Sequence, residues 1–177
     1  MGNLRRSRGY SYEHTLVQRL NNGEWLARRL GGSSTGLPDI VAVNNKEGIL
    51  LSIEAKSGTG DSLYVKPDQI QRCLLIRDMF GYYKSKYAIL AFKFMRKKRL
   101  TRKREVVYEA RKLIEYYKVA DKLNKLESIP IVKCTYVGKT YVMSDGSFTQ
   151  KNLPNYIMPF RTINQELVKI EQHRSRA

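Results

Sequence analysis

The sequence predicts an α/β protein in which helices cover a mixed β-sheet. Apolar residues recur at helical spacing from Ser11 to about Leu20 and over Pro67–Met79. Short apolar runs that are typical of strands occur at Ile49–Lys56 and Tyr87–Phe94. The resulting order of helix, hairpin, strand, helix and strand is typical of a mixed sheet with helices on its faces.

Length and composition limit the class of protein. The chain has 177 residues, of which 42% are hydrophobic, so it fits one domain of roughly 150 residues with a packed core. No apolar run approaches the roughly 20 residues that cross a bilayer, and the first residues lack the apolar stretch of a signal peptide, so we expect no membrane partner. Cys73 and Cys134, with two histidines, cannot build a disulfide framework or a four-ligand zinc cluster, which fits the cytoplasm.

The charge points to a polyanionic partner. Lys and Arg number 33 against 16 Asp and Glu, a net charge of +17, well above the roughly 2–8 that keeps a small domain soluble. Residues 93–125 alone carry +9. The basic run Phe92–Val107 is dense enough to bind a nucleic-acid backbone through release of counterions. The alternative is a solvated charged face or a localisation-type patch.

One region runs against this trend. Residues 31–60 carry a net charge of −1 and include Asp39, Glu47 and Glu54. Carboxylates repel an anionic partner unless a divalent cation converts them into part of a phosphate-binding site. This region is therefore the candidate metal site.

A predicted hairpin brings Asp39 beside Glu54. We expect strands at Trp25–Leu30 and Ile40–Val43, a turn at Asn44–Gly48 and a third strand at Ile49–Lys56. Alternation along the third strand places Leu50, Ser52, Glu54 and Lys56 on one face. Glu13 falls in the first turn of the helix that begins at Ser11.

The remaining elements follow from periodicity. Val106, Ala110, Leu113, Tyr117 and Ala120 recur at steps of four and three, which predicts an amphipathic helix through about Leu126. We expect a closing hairpin with strands at Ile129–Thr135 and Lys139–Met143. The spacing of Ile163, Leu167 and Ile170 predicts a short terminal helix.

The combination of Glu13, Leu37-Pro38-Asp39 and Ile53-Glu54-Ala55-Lys56 resembles the PD-(D/E)XK nuclease superfamily. Asp39, Glu54 and the Ala55 carbonyl make an oxygen cage suited to Mg²⁺, with Mn²⁺ able to substitute. Lys56 can orient or help to deprotonate the attacking water and neutralise charge on the phosphate. Each residue also has a structural interpretation: Asp39 as a turn former, Glu13 as a helix-dipole residue, and Glu54 with Lys56 as an ion pair. A glutamate within an apolar strand nevertheless requires a partner.

The resemblance is closer to the archaeal Holliday-junction resolvases. RGYSYEHTLVQRLNN, RRLGGSSTGLPDIVAV, ILLSIEAKSG, DSLYVKPDQIQRCLLIRDMFG and YAILAFKF follow that family's pattern in order, over about residues 5–95. The resemblance implies catalytic roles for Glu13, Asp39, Glu54 and Lys56, with Glu13 reaching the metal through a water. It also implies a catalytic serine, Ser33 or Ser34, in the loop before Asp39, and a polar helix position, Gln69.

Together these features lead to one expectation about fold and function. We expect a single nuclease domain over residues 1–177 with a restriction-endonuclease-like mixed β-sheet flanked by helices, its core at about 5–95 plus 130–170. A basic helical insertion is expected at about 96–128. The activity would be resolution of four-way DNA junctions in recombination and repair, by a nucleoid-associated homodimer that needs no small-molecule cofactor. The residues expected to contact DNA are Arg5, Arg6, Arg8, Lys66, Gln69, Arg96, Lys97, Lys98, Arg99, Arg102, Lys103 and Arg104.

Two alternatives stay open. The same site serves a restriction-type or flap-type repair nuclease, whereas a non-catalytic DNA- or RNA-binding protein would use the carboxylates only structurally.

Overall fold

The computed structural model describes residues 4–31 and 35–161, with two helices and two larger sheets. In chain order the elements are α1 (Leu4–Leu20), β1 (Leu26–Arg29), β2 (Ile40–Asn44), β3 (Ile49–Gly58), β4 (Ser62–Val65), α2 (Pro67–Met79), β5 (Ser85–Phe94), β6 (Lys97–Arg102), β7 (Glu105–Ala110), β8 (Ile114–Val119), a 3₁₀ helix (Asp121–Lys125), β9 (Ile131–Thr135), β10 (Thr140–Ser144) and β11 (Ser147–Gln150). The terminal helix expected around Ile163–Ile170 lies outside the described residues.

The central sheet is mixed, as the sequence predicts. Its strand order is β1-β2-β3-β5-β8. Strands β3 and β5 are parallel, and every other pair in this sheet is antiparallel. Because parallel neighbours need a crossover connection, the segment containing α2 lies between β3 and β5 in the chain.

The β2–β3 hairpin has the predicted turn. The Asn44 side-chain oxygen accepts the backbone N–H groups of Lys46 and Glu47 at 3.1 and 3.0 Å. Gly48 has a φ of 70°, a conformation that favours glycine. The turn sets a register in which Ile40 lies opposite Ile53.

The two faces of the central sheet are covered by different elements. On one face, Tyr12, Leu16 and Leu20 of α1 belong to one buried cluster with Leu51 and Ile53 of β3. On the other, Ile70 and Cys73 of α2 cluster with Leu90 and Phe92 of β5 and with residues of the second sheet. Cys73 and Cys134 are buried free thiols, which confirms that they form no disulfide.

The second sheet has the order β11-β10-β9-β4. The predicted hairpin around Val137-Gly138 is confirmed as β9 and β10. Strand β4 was not among the expected elements; at four residues its period-2 signal is too short to stand out from a loop.

Two expectations are wrong. Residues 106–126 do not form a long helix but are divided among β7, β8 and the 3₁₀ helix, so the insertion at about 96–128 is not helical. β-Branched and aromatic residues such as Val107, Tyr108 and Ile114 favour strands, and this preference prevails over the spacing of four and three. Glu13 does not lie in the first turn of a helix, because α1 begins at Leu4.

The turn between β6 and β7 explains why the hairpin is hidden in the sequence. Arg102 pairs with Glu105, which leaves Lys103 and Arg104 as the two turn residues. Their φ angles are 47° and 67°. Two-residue hairpin turns with both φ values positive favour Asn-Gly, and neither Lys nor Arg signals such a turn. The left-handed conformation is costly for both residues.

We therefore expect the double substitution Lys103→Asn, Arg104→Gly to stabilise the protein. The replacements adopt the left-handed region more readily, so the free energy of unfolding should rise by about 1 kcal/mol. Urea denaturation at neutral pH measures this. The control Lys103→Gln, Arg104→Gln removes the same charges without favouring positive φ. An equal gain in both variants would attribute the effect to charge repulsion instead.

Candidate active site

The two hairpin carboxylates lie next to each other. Asp39 directly precedes β2, and the register that pairs Ile40 with Ile53 brings Asp39 beside Glu54. Both are buried, with 7% and 1% of their surface exposed. The Asp39 Oδ2 atom accepts the backbone N–H of Ala55 at 2.8 Å. This hydrogen bond holds the start of β2 against β3 at the position of the site.

Glu54 is only half satisfied. Its Oε1 atom accepts a hydrogen bond from Lys56 Nζ at 2.7 Å, whereas among the described residues its buried Oε2 atom has no hydrogen-bond partner. Burial raises the pKa of Glu54 to about 7; the Asp39 charge also raises it, while Lys56 and Arg72 act in the opposite direction. A buried carboxylate oxygen without a partner is costly, and this oxygen is free to ligate a cation.

The donor set fits a hard divalent cation. Asp39 and Glu54 offer carboxylate oxygens and Ala55 a backbone carbonyl, which are the oxygen ligands that Mg²⁺ prefers. Across residues 4–31 and 35–161, no three His, Cys, Asp or Glu side chains are grouped to hold a metal ion. Glu13 therefore does not complete a preformed cage of three carboxylates with the other two.

Glu13 lies close to the site but is engaged elsewhere. Its Oε2 atom accepts a hydrogen bond from Arg29 Nε at 2.8 Å and forms an ion pair with Arg29 Nη2 at 2.7 Å. Burial raises the pKa of Glu13; the Arg29 hydrogen bond lowers it, and the nearby Asp39 charge raises it. This arrangement suits an outer position, in which Glu13 acts on the site at a distance.

The other predicted residues fall into three groups. Ser33 and Ser34 lie outside the described residues, and so do the side chains of Arg5, Arg6 and Arg8, whose backbone begins α1. Gln69 Oε1 accepts the backbone N–H of the exposed Lys66 at 3.1 Å, so it caps α2. The basic residues of 97–104 lie in the β6–β7 hairpin.

Arg72 is a residue of this site that the sequence analysis missed. From α2 it donates to the carbonyl of Leu37 at 3.4 Å and pairs with Asp68. Its charge lowers the pKa of Glu54. The available signal was its spacing: Arg72 follows Gln69 by three residues and so shares its side of the helix. It ties α2 to the segment that leads into Asp39.

The geometry agrees with the comparison with known families. A family model described as archaeal Holliday junction resolvase (Hjc) matches residues 4–131. The chain belongs to the archaeal Holliday junction resolvase family. This confirms the resemblance derived from the motifs, and the family implies a nuclease.

The chain is similar to a structure of Archaeoglobus fulgidus Hjc, a Holliday junction resolvase from an archaeal hyperthermophile, at 22% identity over 73% of this chain and 85% of that one, with a TM-score of 0.49. No curated protein matches. Across the described part of the chain, no helix is long and apolar enough to span a membrane. The predicted fold class, a mixed sheet flanked by helices, is confirmed by the strand order and by the packing of α1 and α2 on opposite faces of the sheet.

The raised pKa of Glu54 predicts an unusual pH dependence of stability. Its pKa is about 7 in the folded protein against an ordinary value of 4.5. The folded state thus binds the proton more tightly, and the free energy of unfolding falls as pH rises from about 4.5 to 7. Glu54→Gln should remove this fall. Relative to wild type, the variant should gain about 1–3 kcal/mol between pH 5 and pH 8.

Chemical denaturation in EDTA at both pH values measures the difference. Glu47→Gln, at an exposed position in the β2–β3 turn, is the matched control, because it also removes a carboxylate from this hairpin. If the difference between wild type and Glu54→Gln does not change with pH, Glu54 is not the buried acid described here.

Proposed function

We propose that this protein is a metal-dependent endonuclease that resolves four-way DNA junctions. The observation that carries the proposal is the buried Glu54 carboxylate, with one oxygen paired to Lys56 and the other unpartnered, beside Asp39. Membership of the archaeal Holliday junction resolvase family supports the substrate. The net charge of +17 supports a nucleic-acid partner.

The roles of the side chains follow from their positions. Asp39, Glu54 and the Ala55 carbonyl would hold the cation, and Glu13 would act through a water. When bound at these oxygens, Mg²⁺ would supply Lewis-acid chemistry, which acidifies water and offsets negative charge on the leaving oxygen. Lys56 lies where its ammonium can neutralise charge that accumulates on the scissile phosphate and orient the attacking water. Arg72 would add a second positive charge on the α2 side. Its hydrogen bond to the Leu37 carbonyl holds the segment that leads into Asp39.

The proposed DNA-contacting surface is the β6–β7 hairpin, which begins at the same edge of the central sheet as the candidate metal site. Strands β3 and β5 are parallel, so the carboxyl end of β3, which carries Glu54 and Lys56, adjoins the end of β5 from which the β6–β7 hairpin continues. Basic residues of that hairpin, together with the other arginines and Lys66 named above, would contact phosphates. Such contacts confer strong salt dependence and little sequence preference. Selectivity would then come from the branched shape of the substrate.

We further propose one nuclease domain over residues 1–177, in which 96–128 is an insertion built from a hairpin, a strand and a 3₁₀ helix.

Resolution of a junction requires two cuts in strands related by approximate twofold symmetry. A homodimer with one site in each subunit supplies both. Recombination and repair in the cell interior would be the setting.

Cleavage by variants of the two hairpin carboxylates tests the proposal. Glu54→Gln and Asp39→Asn should each abolish Mg²⁺-dependent cutting of a synthetic immobile junction, with at least a 10²-fold loss of rate, because each loses a metal ligand. Junction binding should persist. Glu47→Gln, which removes a carboxylate from the same hairpin away from the site, should cut like wild type.

The substrate panel separates the alternatives. Wild type should place paired nicks in the junction and leave linear duplex and flaps uncut. Equal cutting of flaps or duplex would favour a restriction-type or repair nuclease. Unchanged cutting by Glu54→Gln would refute the assigned site, and absence of cutting by wild type with Mg²⁺ or Mn²⁺ would leave a non-catalytic binding protein.

The dimer is tested by its mass. Sedimentation equilibrium should give twice 20.6 kDa, and each junction should bind one such dimer. A monomer that nevertheless makes paired symmetrical nicks would contradict the twofold arrangement.

A further inference from the structure

The two faces of the β6–β7 hairpin differ in chemistry. Directly opposed residues of an antiparallel pair share a face, so the register assigns each residue to one of them. One face carries Lys97, Arg99, Thr101, Val106, Tyr108 and Ala110; the other carries Lys98, Leu100, Arg102, Glu105, Val107 and Glu109. Over residues 97–110, all of which the structure describes, both glutamates fall on the second face. The first face is cationic and free of carboxylates.

The second face is already engaged. Lys98 forms an ion pair with Asp61 at 2.6 Å, and Arg102 pairs with Glu109 at 2.5 Å. Leu100 and Val107 oppose each other there and are half-buried. The Lys98 ion pair attaches this face to the loop after β3, whereas the other contacts lie within the hairpin.

The first face is exposed and aromatic. Tyr108 is 50% exposed and Val106 45%. The Lys97 ammonium lies 4.8 Å from the centre of the Tyr108 ring. The ammonium lies over one face of the ring, so a base would stack on the opposite face while the cation meets its phosphate.

A pocket of about 370 Å³ lies at the base of this hairpin. Its wall includes the cations Lys93, Arg96 and Lys97, the Tyr108 ring and the apolar Leu113. Glu109 also lines it, but its carboxylate is paired with Arg102. The pocket therefore combines three positive charges with one ring, and its volume falls in the range of small-ligand sites.

The pocket is held in place relative to the catalytic strand. The backbone N–H groups of Met95 and Arg99 donate to the carbonyls of Gly58 and Thr59, both at 2.9 Å. The Lys98–Asp61 ion pair adds a side-chain contact to the same segment. Since Gly58 ends β3, two residues after Lys56, a nucleotide in the pocket would be at a set position relative to the scissile phosphate.

We propose that this pocket binds an unpaired nucleotide at the branch point of the DNA. The base stacks on Tyr108, and Arg96 and Lys97 contact its phosphates, whereas the Lys93 ammonium lies over the Tyr12 ring at 5.2 Å. The occupant is unpaired rather than duplex because a base in an intact stack does not expose its face to a ring. This inference rests on the proposed function in that the ligand is branched DNA, and it assigns to the hairpin the recognition of the strand-exchange point.

Binding of two junctions tests the pocket. One junction is fully paired, and the other carries a single unpaired nucleotide at the branch point; affinities are measured by fluorescence anisotropy in EDTA. Wild type should bind the second about tenfold more tightly, as expected for one stacked base. Tyr108→Leu should lose this preference, and Tyr108→Phe, which keeps the ring, should retain it.

Two lysine variants provide the matched control. Lys97→Gln, in the pocket, should reduce the preference. Lys103→Gln, at the hairpin turn, should weaken binding of both junctions equally and leave the preference unchanged. A 2-aminopurine at the unpaired position should be quenched by wild type and by Tyr108→Phe, and not by Tyr108→Leu.

The inference is overturned if wild type shows no preference, if Tyr108→Leu keeps it, or if Lys97→Gln and Lys103→Gln change it equally. The two proposals fail separately, because binding in EDTA does not depend on cutting. A protein that shows the preference but never cuts would refute the nuclease and support the pocket; one that cuts with no preference would do the reverse.

Discussion

Burial of the Glu54 carboxylate is the constraint on which the site depends. A carboxylate with 1% of its surface exposed loses its hydration, and a single ion pair with Lys56 satisfies only one of its oxygens. The neighbouring Asp39 makes ionisation harder still. A buried carboxylate of this kind is tolerated where a cation binds its free oxygen and neutralises its charge. The same burial would make the site dry and selective for a doubly charged ligand.

Parallel pairing of β3 with β5 determines where the rest of the protein acts. The carboxyl ends of the two strands meet at one edge, so the site carried by β3 and the hairpin that follows β5 lie on the same side of the molecule. Backbone hydrogen bonds from Met95 and Arg99 to Gly58 and Thr59 then couple the two. The proposed metal site and the proposed DNA-contacting hairpin therefore lie close together, the first on the central sheet and the second on the two-stranded sheet that follows β5.

The basic hairpin and the candidate metal site also differ in the charge of the chain segments that contain them. Positive charge concentrates in residues 93–125, and net negative charge is confined to residues 31–60. Long-range attraction from the basic surface would bring DNA to a region that repels it until a cation binds. On the hairpin, both glutamates lie on one face, which leaves the opposite face entirely favourable to phosphate.

Local patterns in the sequence were sufficient for the hairpin that carries Asp39 and Glu54, because Asn44–Gly48 carries strong turn signals and alternation along Ile49–Lys56 places Glu54 and Lys56 on one face. The family followed from the same motifs.

Three features depended on tertiary contacts instead. The β6–β7 hairpin turns at Lys103-Arg104, where no turn residue marks it, and its pairing overrides a helical period. Arg72 reaches Leu37 from 35 residues away, and Glu13 meets Arg29 only after α1 packs on the sheet. Spacing along the chain encodes neighbours within an element, whereas contacts between elements arise when the core is packed.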